Sequence, residues 1–323
     1  MPLKKSTYYT MLKLGIAGMC GFFLYKRTLH FKYSEIEALF QNCFATNWGL
    51  LTTALLLVFC NWGIEAIKWK YLIRNIEKLT FFRAFGAVMA GVTVSSFTPN
   101  RVGEFAGRMM LLTRKLDIRV IGLTIIGGMS QLFITLCIGF PCLVFFLTFN
   151  YPAEFIYRGI IIGFGALGLL VYAGFFFNLP YVYRQINLRF AKQKRIKFIS
   201  AGLAYVDGFG LRYITALSML RYLIFCCQYG LVLMFFDLHT VWFWQAFGLI
   251  PVVFLIQSVV PTYFLTELGV RATVALAVFS FAGLGDVQIM AASALLWVIN
   301  LMIPAITGVF IILFSKLKNE TPR

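Results

Sequence analysis

Four stretches of this chain, 50–60, 138–149, 160–177 and 299–314, run without a single charged residue. A helix crosses the hydrocarbon core of a bilayer with about 20 predominantly apolar residues. Runs of this kind leave few alternatives to membrane insertion. Composition points the same way: 60% of the 323 residues are hydrophobic and only 13% are charged. A soluble domain carries about 25% charged residues, so this chain cannot dress a water-exposed surface of ordinary size. The sequence therefore predicts an all-α fold, a polytopic transmembrane helical bundle forming a single domain over 1–323.

A net charge of +17 would suggest nucleic acid in a soluble protein. Here the basic residues sit between the apolar runs, as positive-inside topology requires, so no nucleic-acid partner is expected. Six spans are predicted, at 8–25, 47–70, 119–148, 157–179, 213–236 and 287–314. Lys4 and Lys5 ahead of an apolar run resemble a signal peptide, but no small-x-small cleavage site follows, so an uncleaved first helix is expected. The segments 68–83, 101–119 and 184–197 are rich in Lys and Arg, whereas 150–156, 237–240 and 284–286 carry acids and almost no bases. Basic loops in the cytoplasm place both termini there, in a plasma (inner) membrane. The last basic stretch also holds Ile186, Phe190 and Ile196, and reads as a plain cytoplasmic loop ahead of an interfacial segment.

That topology makes two regions, 81–117 and 241–284, enter and leave on the same side. Each is interrupted by proline, which removes a backbone donor and breaks a helix. The first turns at Thr98, Pro99, Asn100, Arg101, Val102, Gly103 and Glu104, with Arg108 one turn further on. The second turns at Pro261 and continues through Thr266, Glu267, Gly269 and Arg271. Thr98 before Pro99, and Thr266 before Glu267, read as caps of new helices. Glu104 with Arg108, and Glu267 with Arg271, have the favourable i, i+4 order for an ion pair. Two helical hairpins in inverted orientation are expected, with broken helices facing a protein interior or a wet cavity; the short arms of 81–117 favour re-entry, whereas 241–284 could re-enter or cross fully.

Charges inside a membrane are functional candidates by default. The predicted headgroup-binding residues are Thr98, Pro99, Asn100, Arg101, Gly103, Glu104, Arg108, Pro261, Glu267, Gly269 and Arg271. Glu65, beside Lys68 and Trp69, reads instead as an interfacial helix-end pair, and Arg221 as a pairing or snorkelling charge. Trp48, Trp62, Trp69, Trp242 and Trp244 read as an interfacial belt. Seven cysteines without a CxxC, and only His30 and His239, predict neither a disulfide framework nor a metal site. No cofactor is expected, and no GxxxxGK[ST] loop is present for nucleotide.

Both turns resemble those of the lysylphosphatidylglycerol synthase transmembrane-region family, a flippase-like integral membrane domain. Thr98-Pro99-Asn100-Arg101-Val102-Gly103-Glu104 is similar to its proline, arginine, glycine-glutamate turn, and Leu268-Gly269-Val270-Arg271 to its late leucine-glycine-x-arginine turn. Asn100 stands where a small residue is common, Phe264 to Glu267 replaces a glycine-rich stretch, and Ala272 stands where an acid often follows the arginine. The resemblance covers essentially the whole chain. It implies a lipid-translocation role for Arg101, Glu104 and Arg271, in which Arg101 and Arg271 hold a phosphate while Glu104 and Glu267 tune them. The cytosolic aminoacyl-transferring domain of the name-giving members has no counterpart in the sequence, so synthase activity is not expected. The expected partners are membrane lipids, anionic, aminoacylated or glycosylated, together with a lipid-synthesis enzyme. Two alternatives stand beside this: an integral-membrane lipid-modifying enzyme, for which the 12 scattered acids offer no catalytic constellation, and a solute transporter or accessory subunit of a lipid-synthesis complex.

Overall fold

The computed structural model describes Phe22, Tyr25 and residues 33–98, 102–113, 118–150, 155–189, 206–236, 243–260 and 264–319. All described regular structure is helical: α1 Tyr33–Thr46, α2 Trp48–Ile73, α3 Phe81–Ser96, α4 Gly103–Met109, α5 Ile118–Asn150, α6 Phe155–Phe177, α7 Leu179–Arg189, α8 Gly208–Phe235, α9 Phe243–Val259, α10 Phe264–Phe279, α11 Asp286–Trp297 and α12 Ile303–Asn319. A π-helical turn, Val298–Met302, joins α11 to α12 in one continuous rod. Five helical stretches are long and apolar enough to cross a membrane: Trp48–Ile73, Arg119–Asn150, Gly159–Phe177, Gly208–Phe235 and Asp286–Ser315. They match five of the six predicted spans. The first, 8–25, lies outside the described residues apart from Phe22 and Tyr25. The chain is an integral, multi-pass, all-α membrane protein.

Packing divides the helices into a buried centre and a lipid-facing rim. α2 and α8 lie against each other at the centre; Asn47, ahead of α2, donates to the Phe235 carbonyl at 3.2 Å and pins their ends together. Asp207 caps α8 by accepting from the Gly210 amide at 2.9 Å. By contrast, only 6% of the apolar window of α6 is buried, and it exposes Phe164, Leu170 and Val171. In water such a face would be a liability; against acyl chains it is solvated.

The two interrupted regions form helical hairpins that open at opposite ends of the bundle. In the first, α3 and α4 pack on each other and α3 lies along α12. At 1.5 Å per residue, the seven residues of α4 extend only about 10 Å, far short of a crossing. Its base is closed by Glu77, which accepts from the amide and hydroxyl of Thr113 at 2.9 Å each and pairs with Arg83 at 3.2 Å. Residues 77 and 113 therefore meet, beside the C-terminal end of α2. The second hairpin, α9 and α10, has its base at the other end of α5, where Phe281 packs edge-on against Phe146 at 5.3 Å and Gly248 shares a groove with Phe149.

The helix after the first turn is described from Gly103 onward, and Pro99, expected at its first position, lies outside the described residues. Thr98 still caps it, because its hydroxyl accepts from the Gly103 amide at 2.7 Å. The helix after the second turn starts at Phe264, so Thr266 is inside its first turn rather than ahead of it.

α3 and α4 approach closely enough to require glycine. A methyl group at Gly107 would overlap the Ala90 carbonyl and lie 2.7 Å from the Gly91 Cα. Backbone cannot move aside as a side chain can, so Gly107→Ala should destabilise the protein by about 1–3 kcal/mol. Gly163→Ala, with nothing within 4 Å of the added atom, is the control. Thermal unfolding in detergent should show a lowered midpoint for the first variant alone; equal midpoints would refute the close approach.

Candidate functional site

Asn61, Glu65 and Lys68 are spaced four and three residues apart, which aligns them on one face of α2. That face is turned inward, and all three side chains are buried. Glu65 is the hub. Its Oε1 accepts from Arg108 of α4 at 2.9 Å, and its Oε2 takes Lys68 at 2.8 Å and Arg221 of α8 at 3.0 Å. Arg221 also donates through Nε to the Asn61 carbonyl oxygen at 2.7 Å. Lys68 completes its coordination with the Gly127 carbonyl at 3.3 Å and the Ser218 hydroxyl at 3.4 Å. Ser218 in turn shares a 2.8 Å hydrogen bond with Ser130 of α5. Arg108 bridges outward to Glu104, one turn back on its own helix.

One carboxylate thus ties α2, α4 and α8 together, and the network reaches α5. Isolated charges are not tolerated in such surroundings, and here each cation has a carboxylate within hydrogen-bonding range. Two indoles wall the cluster. Arg108 lies 5.0 Å from the Trp69 ring centre and Arg221 lies 5.2 Å from that of Trp62, distances at which the ring face attracts a cation. Trp62 and Trp69 are 7% and 0% exposed, so neither belongs to an interfacial belt. Trp48, 65% exposed at the start of α2, retains that role. Trp242 and the Trp244 side chain lie outside the described residues.

The cluster opens onto a cavity of about 390 Å³. Glu65, Lys68, Glu104, Arg108 and Arg221 line it, together with Ser95 and Ser258 from near the tips of the two hairpins. Three cations against two carboxylates leave one excess positive charge. Several polar atoms of the lining have no protein partner, among them Nε of Arg108, Nε1 of Trp62 and Oε1 of Gln131. Buried donors of this kind cost stability unless a ligand or water satisfies them. The excess charge and the two free N–H groups select for an anion.

Of the residues singled out in the sequence, Glu104 and Arg108 reach this cavity, and Thr98 with Gly103 builds the turn that carries them. Pro99, Asn100, Arg101 and Pro261 lie outside the described residues. Glu267 and Arg271 pair as predicted, at 3.0 and 2.7 Å. Arg271, however, faces a separate cavity of about 20 Å³ with Tyr229, Gln257 and Asn300, so the structure does not bring it to the same point as Arg108. Gly269 lies on α10, partly buried.

Glu65 and Arg221 have a larger place than the sequence assigned them. Glu65 is buried at the centre of the site rather than paired at an interface, because the first hairpin covers that end of α2. Arg221 does pair, with the carboxylate of another helix. The available signal was the 61, 65, 68 spacing, which puts one acid and one amide on the face of a lone lysine. Among the described residues, no group of three or more His, Cys, Asp or Glu is placed to hold a metal ion.

Fold and site together define a polytopic membrane protein with a charged cavity between two inverted hairpins. The chain belongs to the lysylphosphatidylglycerol synthase TM region family, whose model matches residues 10–308. This membership connects the chain with membrane lipids. No curated protein and no solved structure matches it.

Proposed function

We propose that this protein moves a lipid with an anionic headgroup, modified or unmodified, between the leaflets of the plasma membrane. The observation that carries the reading is the excess cationic charge of the cavity, set between the tips of two hairpins that open at opposite ends of the bundle. Half-crossing elements that meet at a polar site are the architecture of alternating-access transport. In this mechanism Arg108 and Arg221 engage the headgroup phosphate, whose oxygens match the planar donor array of a guanidinium. Glu65 holds both arginines in place, and Glu104 exchanges with the phosphate as the partner of Arg108. Arg101, three residues ahead of Glu104 in the sequence, is given the role of handing the phosphate on by the family resemblance of its turn. The chain performs no covalent chemistry in this account, and its energy comes from a gradient or from a partner such as a lipid-synthesis enzyme.

Occupancy can be read directly in the cavity. With the native cysteines replaced, Ser258→Cys gives a single thiol on the lining. Dioctanoyl-phosphatidylglycerol should slow its alkylation, and dioctanoyl-phosphatidylcholine should not. Equal protection by the two lipids, or protection by neither, would count against an anionic headgroup site.

A further inference from the structure

The outer face of α2 carries a second set of polar residues that the central site does not use. Ile67, Lys70, Tyr71 and Arg74 recur at spacings of three, one and three, which places them on one stripe, distinct from the inward stripe of Asn61, Glu65 and Lys68. With Lys78 and Phe81 they line a groove of about 490 Å³ at the end of the span. Its lining contains three cations and no carboxylate. The nearest acids are otherwise engaged: Glu77, close in sequence, is held by Thr113 and Arg83, and Asp207, which lies beside Gly210 as Tyr71 does, caps α8.

The groove is built rather than loose. Arg74 stacks on the Tyr71 ring at 3.6 Å, and Tyr71 packs on Tyr213 of α8 at 4.6 Å. The stacking fixes the guanidinium, yet its Nη1 has no hydrogen-bond partner, nor has the Tyr71 hydroxyl. Below the cations the wall is apolar: Ile67 and Phe81 are exposed, and Phe82 beside them is 82% exposed. Cationic groups at the end of a span, continuous with lipid-facing hydrocarbon, match a molecule that is anionic at one end and apolar at the other. A soluble anion would not need the apolar wall.

We infer that this groove docks the phosphate headgroup of an anionic membrane lipid on the outside of the bundle, with its acyl chain along Ile67 and Phe81. Arg74 and Tyr71 supply the fixed donors, and Lys70 and Lys78 supply the surrounding positive charge. The site is separate from the central cavity and does not depend on the translocation reading. It anchors the base of the first hairpin, since Phe81 begins α3, and so couples leaflet composition to the element that carries Arg108.

Photocrosslinking of the full chain in detergent tests this. A phosphatidylglycerol with a diazirine on its acyl chain should give adducts within 67–81 that mass spectrometry can map. Dioctanoyl-phosphatidylglycerol should suppress these adducts. Dioctanoyl-phosphatidylcholine should compete about tenfold less well, and inorganic phosphate at the same concentration should not compete. The triple variant Lys70→Gln, Arg74→Gln, Lys78→Gln should lower adduct yield at 67–81 by at least about tenfold and leave other adducts unchanged. Equal competition by phosphatidylcholine would reduce the groove to an apolar contact, and equal competition by phosphate would make it a soluble-anion site. Either result overturns the inference, as does an undiminished yield in a folded triple variant. The competition series uses the unaltered protein, so it decides the matter even if that variant fails to fold.

Discussion

Glu65→Gln should destabilise this protein more than any other single neutralisation. The carboxylate accepts from Arg108, Lys68 and Arg221 at 2.9, 2.8 and 3.0 Å. Its loss leaves Lys68 with only a carbonyl and a hydroxyl, and doubles the excess positive charge of the cavity. Removing one partner of a buried pair costs about 3–5 kcal/mol, because the other charge remains buried and uncompensated. Three cations bond to this one acid, and Arg108 alone of them also pairs with Glu104, so the upper part of that range is expected. Thermal unfolding in detergent and the yield of folded protein would both register it. The charge account makes a sharper demand on the double variant Glu65→Gln, Lys68→Met, which restores the original excess of one positive charge. It should recover more than half of the lost stability. If it is as unstable as the single variant, hydrogen bonding specific to Glu65, rather than charge balance, holds the site together.

Arg221→Gln should separate function from folding. Glu65 then keeps Lys68 and Arg108, and the cavity loses its excess charge rather than gaining more. The Nε hydrogen bond to Asn61 is lost as well, but a neutral glutamine can still donate there. Thermal stability should fall by about 1.5–3 kcal/mol, the worth of a charge-assisted hydrogen bond, less than the loss expected for Glu65→Gln. Translocation of an anionic lipid in reconstituted liposomes should fall at least about tenfold, since one guanidinium–phosphate contact is worth roughly 1.5–3 kcal/mol. Arg221→Lys keeps the charge without the planar donor pair and should lie between the two. A fully active Arg221→Gln protein would remove this residue from the headgroup site and leave it purely structural.

Much of the fold was legible because span formation depends on a local property. Charge-free runs such as 160–177 need no partner to define them, and the matching helix is the least buried of the five described spans. The first hairpin was legible too, since its arms are too short to cross and are broken by proline; the longer arms of 241–284 left re-entry and full crossing equally open. The heart of the site was less visible. Glu65 lies eight residues before the end of α2, about 12 Å along the axis, where an acid beside Lys68 and Trp69 has the look of a helix-end pair. What reverses that reading is tertiary: α3 and α4 fold back over the inward face of this end of α2 and bury Glu65, Lys68 and Trp69. Trp62 and Trp69 were misread for the same reason, and became ring partners of Arg221 and Arg108. Arg271 illustrates the opposite case. Its pairing with Glu267 follows from i, i+4 spacing alone, but which cavity it faces depends on how α10 packs on α9 and α11, and no local pattern encodes that.

Passage of an anionic headgroup through the cavity between the hairpins is read most directly as transbilayer movement. Purified protein would be reconstituted into liposomes that carry fluorescent phosphatidylglycerol or fluorescent phosphatidylcholine. Loss of fluorescence to a membrane-impermeant quencher reports the lipid that reaches the outer leaflet. The prediction is faster exchange of phosphatidylglycerol than of phosphatidylcholine, abolished by Arg108→Gln in protein that remains folded. Equal exchange of the two lipids, or exchange of phosphatidylglycerol no faster than in protein-free liposomes, would contradict it.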